Sequence, residues 1–288
     1  METGIRVKNR VLEFADQDPR IRAVLLNGSR ANPLVTPDEL RDFDLVFLVN
    51  DLASFTGDHS WTSVFGEKLL EQLPDEMSGK TEEEIRTDGF MYLMLFREGY
   101  RIDLRLCPVE ILQGDFRPDS LTIIWLDKDQ LLPDLPPPSD RDYWIQKPNA
   151  KEFADLCNEF WWVSASITKS LSRKEIILAK QLLETVLRPA LLRMIAWKVG
   201  LEKGFDRSMG KGYKWLKNQV SEEVYQRLLL TYTDAEPKHN WQALIGMAEL
   251  FRETSGFVAG QFGFAMDQDQ TDNAFNYILE QEENRETG

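Results

Sequence analysis

Between Leu131 and Asp140 the chain reads Leu-Leu-Pro-Asp-Leu-Pro-Pro-Pro-Ser-Asp, a proline-rich stretch that sustains neither a helix interior nor a central strand. It divides two textures. Before it, short apolar runs end in glycine, asparagine or aspartate, which is the pattern of buried strands closed by turns. After it, apolar residues recur at spacings of three and four, which is the pattern of amphipathic helices. The expectation is an α/β (α+β) fold in two parts. Residues 1–138 form a mixed sheet with flanking helices and residues 139–288 an all-helical domain, with the working site in the cleft between them. A length of 288 residues suffices for two medium cores.

Within the first part, Val7, Val11, Leu12 and Ala15 predict an amphipathic helix, broken at Asp18-Pro19. Strands are expected over Ala23–Leu26, Leu45–Val49, Met91–Phe96, Tyr100–Cys107 and Leu121–Leu126, with Arg97-Glu98-Gly99 as a hairpin turn. In the second part, Phe153, Leu156, Cys157 and Phe160 mark one helix. The stretch from Glu175 marks another, kinked near Pro189, and Trp215, Val224, Leu228, Trp241, Leu244 and Leu250 mark more.

Composition narrows the classes of function. The net charge is −14, a surface that repels phosphate backbones and anionic lipid, so neither nucleic acid nor membrane is an expected partner, whereas a cationic small molecule is. Ile176–Leu201 is the most apolar long stretch, but Lys180, Glu184, Arg188, Arg193 and Lys198 interrupt it, so it reads as a core helix. Met1–Arg6 lacks the apolar run of a signal peptide, and two distant cysteines, Cys107 and Cys157, offer no disulfide framework. A reduced, cytoplasmic setting is expected, with the chain acting as a monomer or small homo-oligomer.

The candidate chemistry gathers at one place. Ala23–Leu26 runs into Asn27-Gly28-Ser29-Arg30, and Leu45–Val49 follows directly on Asp42-Phe43-Asp44. Residues two apart on an extended chain project from one face, so the Asp42 and Asp44 carboxylates converge and call for a cation between them. Magnesium, a hard ion that takes carboxylate and phosphate oxygens, is the natural candidate; the alternative is a solvated acidic loop. Gly28 permits a sharp turn that offers backbone amides to an anion, Ser29 adds a hydroxyl, and Arg30 adds a bidentate phosphate partner. Downstream, Ile102, Leu104 and Leu106 share one strand face while Asp103 and Arg105 share the other. Asp103 is then either an ion-pair partner, of Arg105 or across the strands, or a third carboxylate of the acidic group; the upstream pair favours the third carboxylate.

Gly28-Ser29-Arg30, Asp42-X-Asp44 and a later strand aspartate together resemble the nucleotidyltransferase superfamily related to DNA polymerase beta. Four stretches carry a narrower resemblance, to the aminoglycoside 6-adenylyltransferases, also called streptomycin adenylyltransferases. They are Asp140–Ile145, Cys157–Ser164, Arg188–Met194 and Ser208–Lys214. The resemblance implies AMP transfer from ATP to a hydroxyl of streptomycin, at the 6-position, with release of pyrophosphate and inactivation of the antibiotic. It implies that Asp42, Asp44 and Asp103 hold magnesium ions, that Asp103 takes the hydroxyl proton, and that Ser29 and Arg30 grip the triphosphate.

Three residues of the helical half join the candidates. Lys211, in Gly-Lys-Gly-Tyr-Lys, is either a contact to the triphosphate or a surface lysine. Glu159 and Trp162 lie on an aromatic-rich helix and offer a carboxylate and a ring face to a guanidinium-bearing sugar, although aromatic residues at that spacing also serve cores. Glu82-Glu83-Glu84 reads as a solvated helix face, and the isolated His59 and His239 give no metal-ligand spacing. The competing readings are the same transfer to another acceptor and a non-catalytic nucleotide-binding regulator on the same scaffold.

Overall fold

A computed structural model describes residues 2–114 and 117–287, with side chains as far as Asn284. The chain divides into two compact units, Met1–Asp142 and Tyr143–Gly288. The proline-rich stretch belongs to the first unit because it is tied back by hydrogen bonds. Ser139 donates its amide to the Ser120 carbonyl at 2.9 Å, and Asp142 Oδ2 accepts the Ser120 amide at 2.8 Å.

The first unit opens with helix α1 (Glu2–Gln17) and strand β1 (Ile21–Asn27). Strand β2 (Phe43–Val49), the one-turn helix α2 (Ala53–Thr56) and strand β3 (Lys68–Gln72) follow. Then come the short helices α3 (Pro74–Met77) and α4 (Glu82–Asp88), and strands β4 (Phe90–Phe96), β5 (Arg101–Pro108) and β6 (Ile123–Asp127). The six strands form one sheet in the order β3-β4-β5-β2-β1-β6. Among the described residues only the central pair β2 and β5 is parallel; the other four pairings are antiparallel. The expected hairpin joins β4 to β5, with Gly99 at φ +86° supplying the left-handed turn residue.

The sheet has two unlike faces. On one, Val7, Val11 and Ala15 of α1 pack against Val24, Leu26, Phe43, Leu45 and Phe47, an extensive core that also buries Tyr92, Ile102, Leu104 and Leu106. The other face has a far smaller apolar cluster, around Ala23, Leu25, Leu48 and Cys107. Strict alternation along β2 and β5 sends Asp44, Arg101, Asp103 and Arg105 to this thinly covered side, half-buried. Polar side chains are therefore concentrated at the centre of the sheet on its less apolar face.

The second unit is helical. Helices α5 (Ala150–Ser172), α6 (Ile176–Leu182), α7 (Arg188–Lys203), α8 (Glu222–Leu229), α9 (Pro237–Phe262) and α10 (Gln268–Thr287) enclose a core that includes Phe153, Phe160, Leu191, Met194, Trp241 and Phe251. Phe160 and Phe251 stack with ring centroids 3.7 Å apart. Near Pro189 the chain does not simply kink. A π-helical turn, Leu183–Leu187, joins α6 to α7, with Pro189 in the first turn of α7. Proline lacks the amide and its ring presses on the carbonyl four residues back, and a widened turn relieves that clash without breaking the helix. Among the described residues no helix is long and apolar enough to cross a membrane.

Candidate active site

Sheet register brings the acidic residues together. Asn27 of β1 is the register partner of Asp44 of β2, and Asp44 is that of Asp103 of β5. The three positions lie in a row across adjacent strands, each about 4.8 Å from the next. Asp42 stands two residues before Asp44, just ahead of β2.

Gly28 makes room for this row. Its φ is +70°, and a Cβ at this position would stand 2.3 Å from Asp44 Oδ2. Both the backbone conformation and the close carboxylate require glycine. The Gly28 amide is donated to the Leu121 carbonyl at 3.1 Å, which anchors the turn to the segment leading into β6 and commits that amide within the fold. Gly28–Arg30 then forms a single 3-10 turn, with Ser29 half-exposed on it.

Arg30 has a different placement from a free phosphate clamp. Its Nε donates to the carbonyls of Arg41 and Asp42, both at 3.0 Å, and its guanidinium lies 3.7 Å above the Phe43 ring. Phe43 belongs to the α1-side core, so Arg30 is spent on the face opposite Asp44 and Asp103. Burial, with Arg41 nearby, pulls its pKa below the usual arginine value. Arg41 answers by donating Nη1 to the Ser29 carbonyl at 2.9 Å. The two arginines therefore clasp the Gly-Ser-Arg turn to the segment bearing Asp42, holding donors and carboxylates in fixed relation.

Arg101 is the member of the group that motif reasoning passes over. It grips Asp103 with both arms of its fork, Nε to Oδ1 at 2.6 Å and Nη2 to Oδ2 at 2.7 Å, and its Nε is 4.0 Å from Asp42 Oδ2. The hydrogen bond to Asp103, then the charges of Asp103, Asp42 and Asp44, raise its pKa. The available signal was its position two residues before Asp103 on an alternating strand. Arg105, the ion-pair partner considered from the sequence, instead donates to the Asp88 carbonyl at 2.6 Å.

The donor chemistry of Asp42 and Asp44 fits a hard divalent cation, since both offer carboxylate oxygens beside a turn cleared of side-chain bulk. Among the described residues no three Asp, Glu, His or Cys side chains converge as a ready ligand set. Asp103 in particular is held by Arg101.

In the second unit, α5 separates its aromatics sharply. Phe160 and Trp161 are buried in the core, while Trp162 is 73% exposed and Glu159 lies one turn before it on the same solvent face. Lys211 is exposed in the loop Gly210–Tyr213, where Gly210, Gly212 and Tyr213 all have positive φ. The Gly210 backbone packs so close to Trp215 that a Cβ would stand 2.8 Å from the ring. Beside this loop lies a cavity of about 270 Å³ lined by Tyr213, Lys214, Lys217, Tyr225 and Tyr232, among others. His59 is held between Tyr92 Oη at 2.9 Å and Glu76 Oε1 at 3.0 Å, and His239 is bonded to Asp234.

The model of a streptomycin adenylyltransferase family matches residues 1–281. An aminoglycoside 6-adenylyltransferase of Campylobacter jejuni is 41% identical over 281 residues, 98% of this chain and 96% of that protein. One of Bacillus subtilis is 39% identical over 249 residues, 86% of this chain and 87% of that protein. A crystal structure of an aminoglycoside 6-adenyltransferase from Bacillus subtilis aligns over 96% of this chain and 97% of that one, at 33% identity and a TM-score of 0.47.

Proposed function

Because the chain belongs to the streptomycin adenylyltransferase family and is therefore a nucleotidyltransferase, we propose that it transfers AMP from ATP to a hydroxyl of an aminoglycoside, with the 6-hydroxyl of streptomycin as the foremost acceptor. The acceptor oxygen bonds to the α-phosphorus, the bond to the bridging oxygen breaks, and pyrophosphate leaves with the electron pair. The proton of the attacking hydroxyl passes to a carboxylate of the acidic group. The product is an adenylylated antibiotic, and the consequence for the host is resistance.

The observation that carries this reading is the register row of Asp44 and Asp103 beside a glycine whose missing side chain leaves space for Asp44. Asp42 and Asp44 would hold magnesium, which when bound supplies positive charge to the triphosphate and acidifies the attacking hydroxyl. The chain's own residues do the positioning. Arg30 and Arg41 fix the Gly-Ser-Arg turn against the Asp42 backbone, and the Ser29 hydroxyl is the donor proposed for the phosphates. Both oxygens of Asp103 accept hydrogen bonds from Arg101, so a role for Asp103 in the reaction is coupled to that ion pair. Glu159 and Trp162 are proposed contacts for the guanidinium-bearing acceptor, and Lys211 a contact for the triphosphate. The setting proposed is the cytoplasm, where ATP is abundant and the free thiols of Cys107 and Cys157 stay reduced.

Incubation of the purified chain with ATP, magnesium and a panel of aminoglycosides tests the reading. Pyrophosphate release is expected with streptomycin and is expected to be lost in Asp42→Ala, by at least about 10²-fold in kcat. Release with no aminoglycoside on the panel would overturn it.

A further inference from the structure

Three carboxylates on neighbouring strands repel one another unless positive charge lies among them. Here the charge is supplied from within. Arg101 stands two residues from Asp103 on the same face of β5, and the parallel pairing that begins with Phe43 and Ile102 brings it near Asp42, just ahead of β2. The planar fork takes both oxygens of Asp103 while one of its nitrogens reaches to 4.0 Å from Asp42. The position is one that a divalent cation shared by these residues would also claim.

We infer that Arg101 is a built-in counter-ion that holds the acidic group in its cation-free state and competes with a divalent cation for Asp103. This rests on the reading of Asp42 and Asp44 as a divalent-cation site and adds a residue to it. The exposure of the pair decides that it is exchangeable and not permanent. Arg101 is 42% exposed and Asp103 19%, so solvent weakens their attraction, and a half-open ion pair of this kind contributes only modestly to stability. A divalent ion, carrying twice the charge, can displace it. Two states follow: one in which both oxygens of Asp103 are held by Arg101, and one in which Asp103 is released. The arginine therefore links occupation of the site to the availability of the third carboxylate.

The test is binding of Mn²⁺ alone to the full-length protein without nucleotide, followed by the electron paramagnetic resonance of free Mn²⁺. Arg101→Gln is expected to bind at least about tenfold more tightly than wild type, because the competing charge is gone. Asp42→Asn is expected to lose binding. A second readout is thermal unfolding in EDTA: Arg101→Gln should melt below wild type, and Mn²⁺ should restore more of its stability than it adds to wild type. Arg101→Lys keeps the charge but loses the fork, so intermediate affinity is expected; it decides the matter should the glutamine variant fail to fold. Mn²⁺ binding that depends on Asp42 but is no tighter in either Arg101 variant overturns the counter-ion role and leaves the cation site standing. Absence of Mn²⁺ binding in every variant, wild type included, overturns both.

Discussion

A Cβ on residue 28 would stand 2.3 Å from Asp44 Oδ2, and the φ of +70° is one that alanine enters only at a cost of about 1–2 kcal/mol. Gly28→Ala therefore meets two separate penalties, and they can be told apart. Backbone strain lowers the melting temperature, whereas displacement of the carboxylate lowers turnover, by about 10²-fold for a shift of the order of an ångström. Gly28→Asn tolerates the left-handed conformation better but brings the same Cβ, so it should regain stability and not activity. Circular dichroism melts and kcat measured on both variants check this, and full activity in the alanine variant would show that Asp44 has room to move. Arg30 makes a different point about single residues. Adjacent in sequence to Gly28 and Ser29, it reads as a phosphate ligand, yet its side chain turns to the other face of the sheet and holds the Arg41 and Asp42 carbonyls. Adjacency in a motif does not determine the direction of a side chain at a turn.

At the scale of the elements, legibility followed burial. Strands β1 and β2 could be read because each holds a run of apolar residues beside a glycine or an aspartate, and β5 because Ile102, Leu104 and Leu106 alternate with Asp103 and Arg105, as expected. Strand β3 could not, because Lys68–Gln72 is an edge strand exposed along most of its length and its residues carry no burial pattern. The π-turn before Pro189 was likewise invisible; a kink was the nearest expectation, and apolar spacing does not distinguish a kink from a widened turn. Arg101 stands two residues from Asp103 on the same strand face, a signal the sequence carries, but its approach to Asp42 depends on β5 lying beside β2, a long-range pairing. Helix α5, which carries Glu159 and Trp162, begins with a reciprocal cap: Asn149 Oδ1 accepts the Glu152 amide at 2.9 Å, and Glu152 Oε2 accepts the Asn149 amide at 3.0 Å. Asn149→Ala is expected to cost about 1 kcal/mol, or about 2–4 °C in melting temperature for a protein of this size class, with kcat little changed. A thermal scan with no shift would mean that the helix start is held by its packing alone.

At the scale of the molecule, 48 acidic residues against 34 basic ones leave a net charge of −14, and the consequence differs for the two proposed substrates. A polycationic aminoglycoside is drawn toward such a surface and ATP is not, so long-range attraction should favour capture of the acceptor and leave nucleotide binding to local donors such as Ser29. Salt separates the two contributions. The screening length is about 10 Å at 0.1 M ionic strength and about 3 Å at 1 M, so added salt removes attraction over many ångströms before it weakens direct contacts. Raising KCl from about 0.05 to about 0.5 M, a range over which this screening becomes strong, should raise the apparent KM for streptomycin several-fold and that for ATP much less. Steady-state kinetics with each substrate varied in turn gives both values from the same preparation. A KM for ATP that rises while that for streptomycin stays constant would mean that the acidic surface serves solubility alone, and that recognition of the acceptor rests on short-range contacts such as those proposed for Glu159 and Trp162.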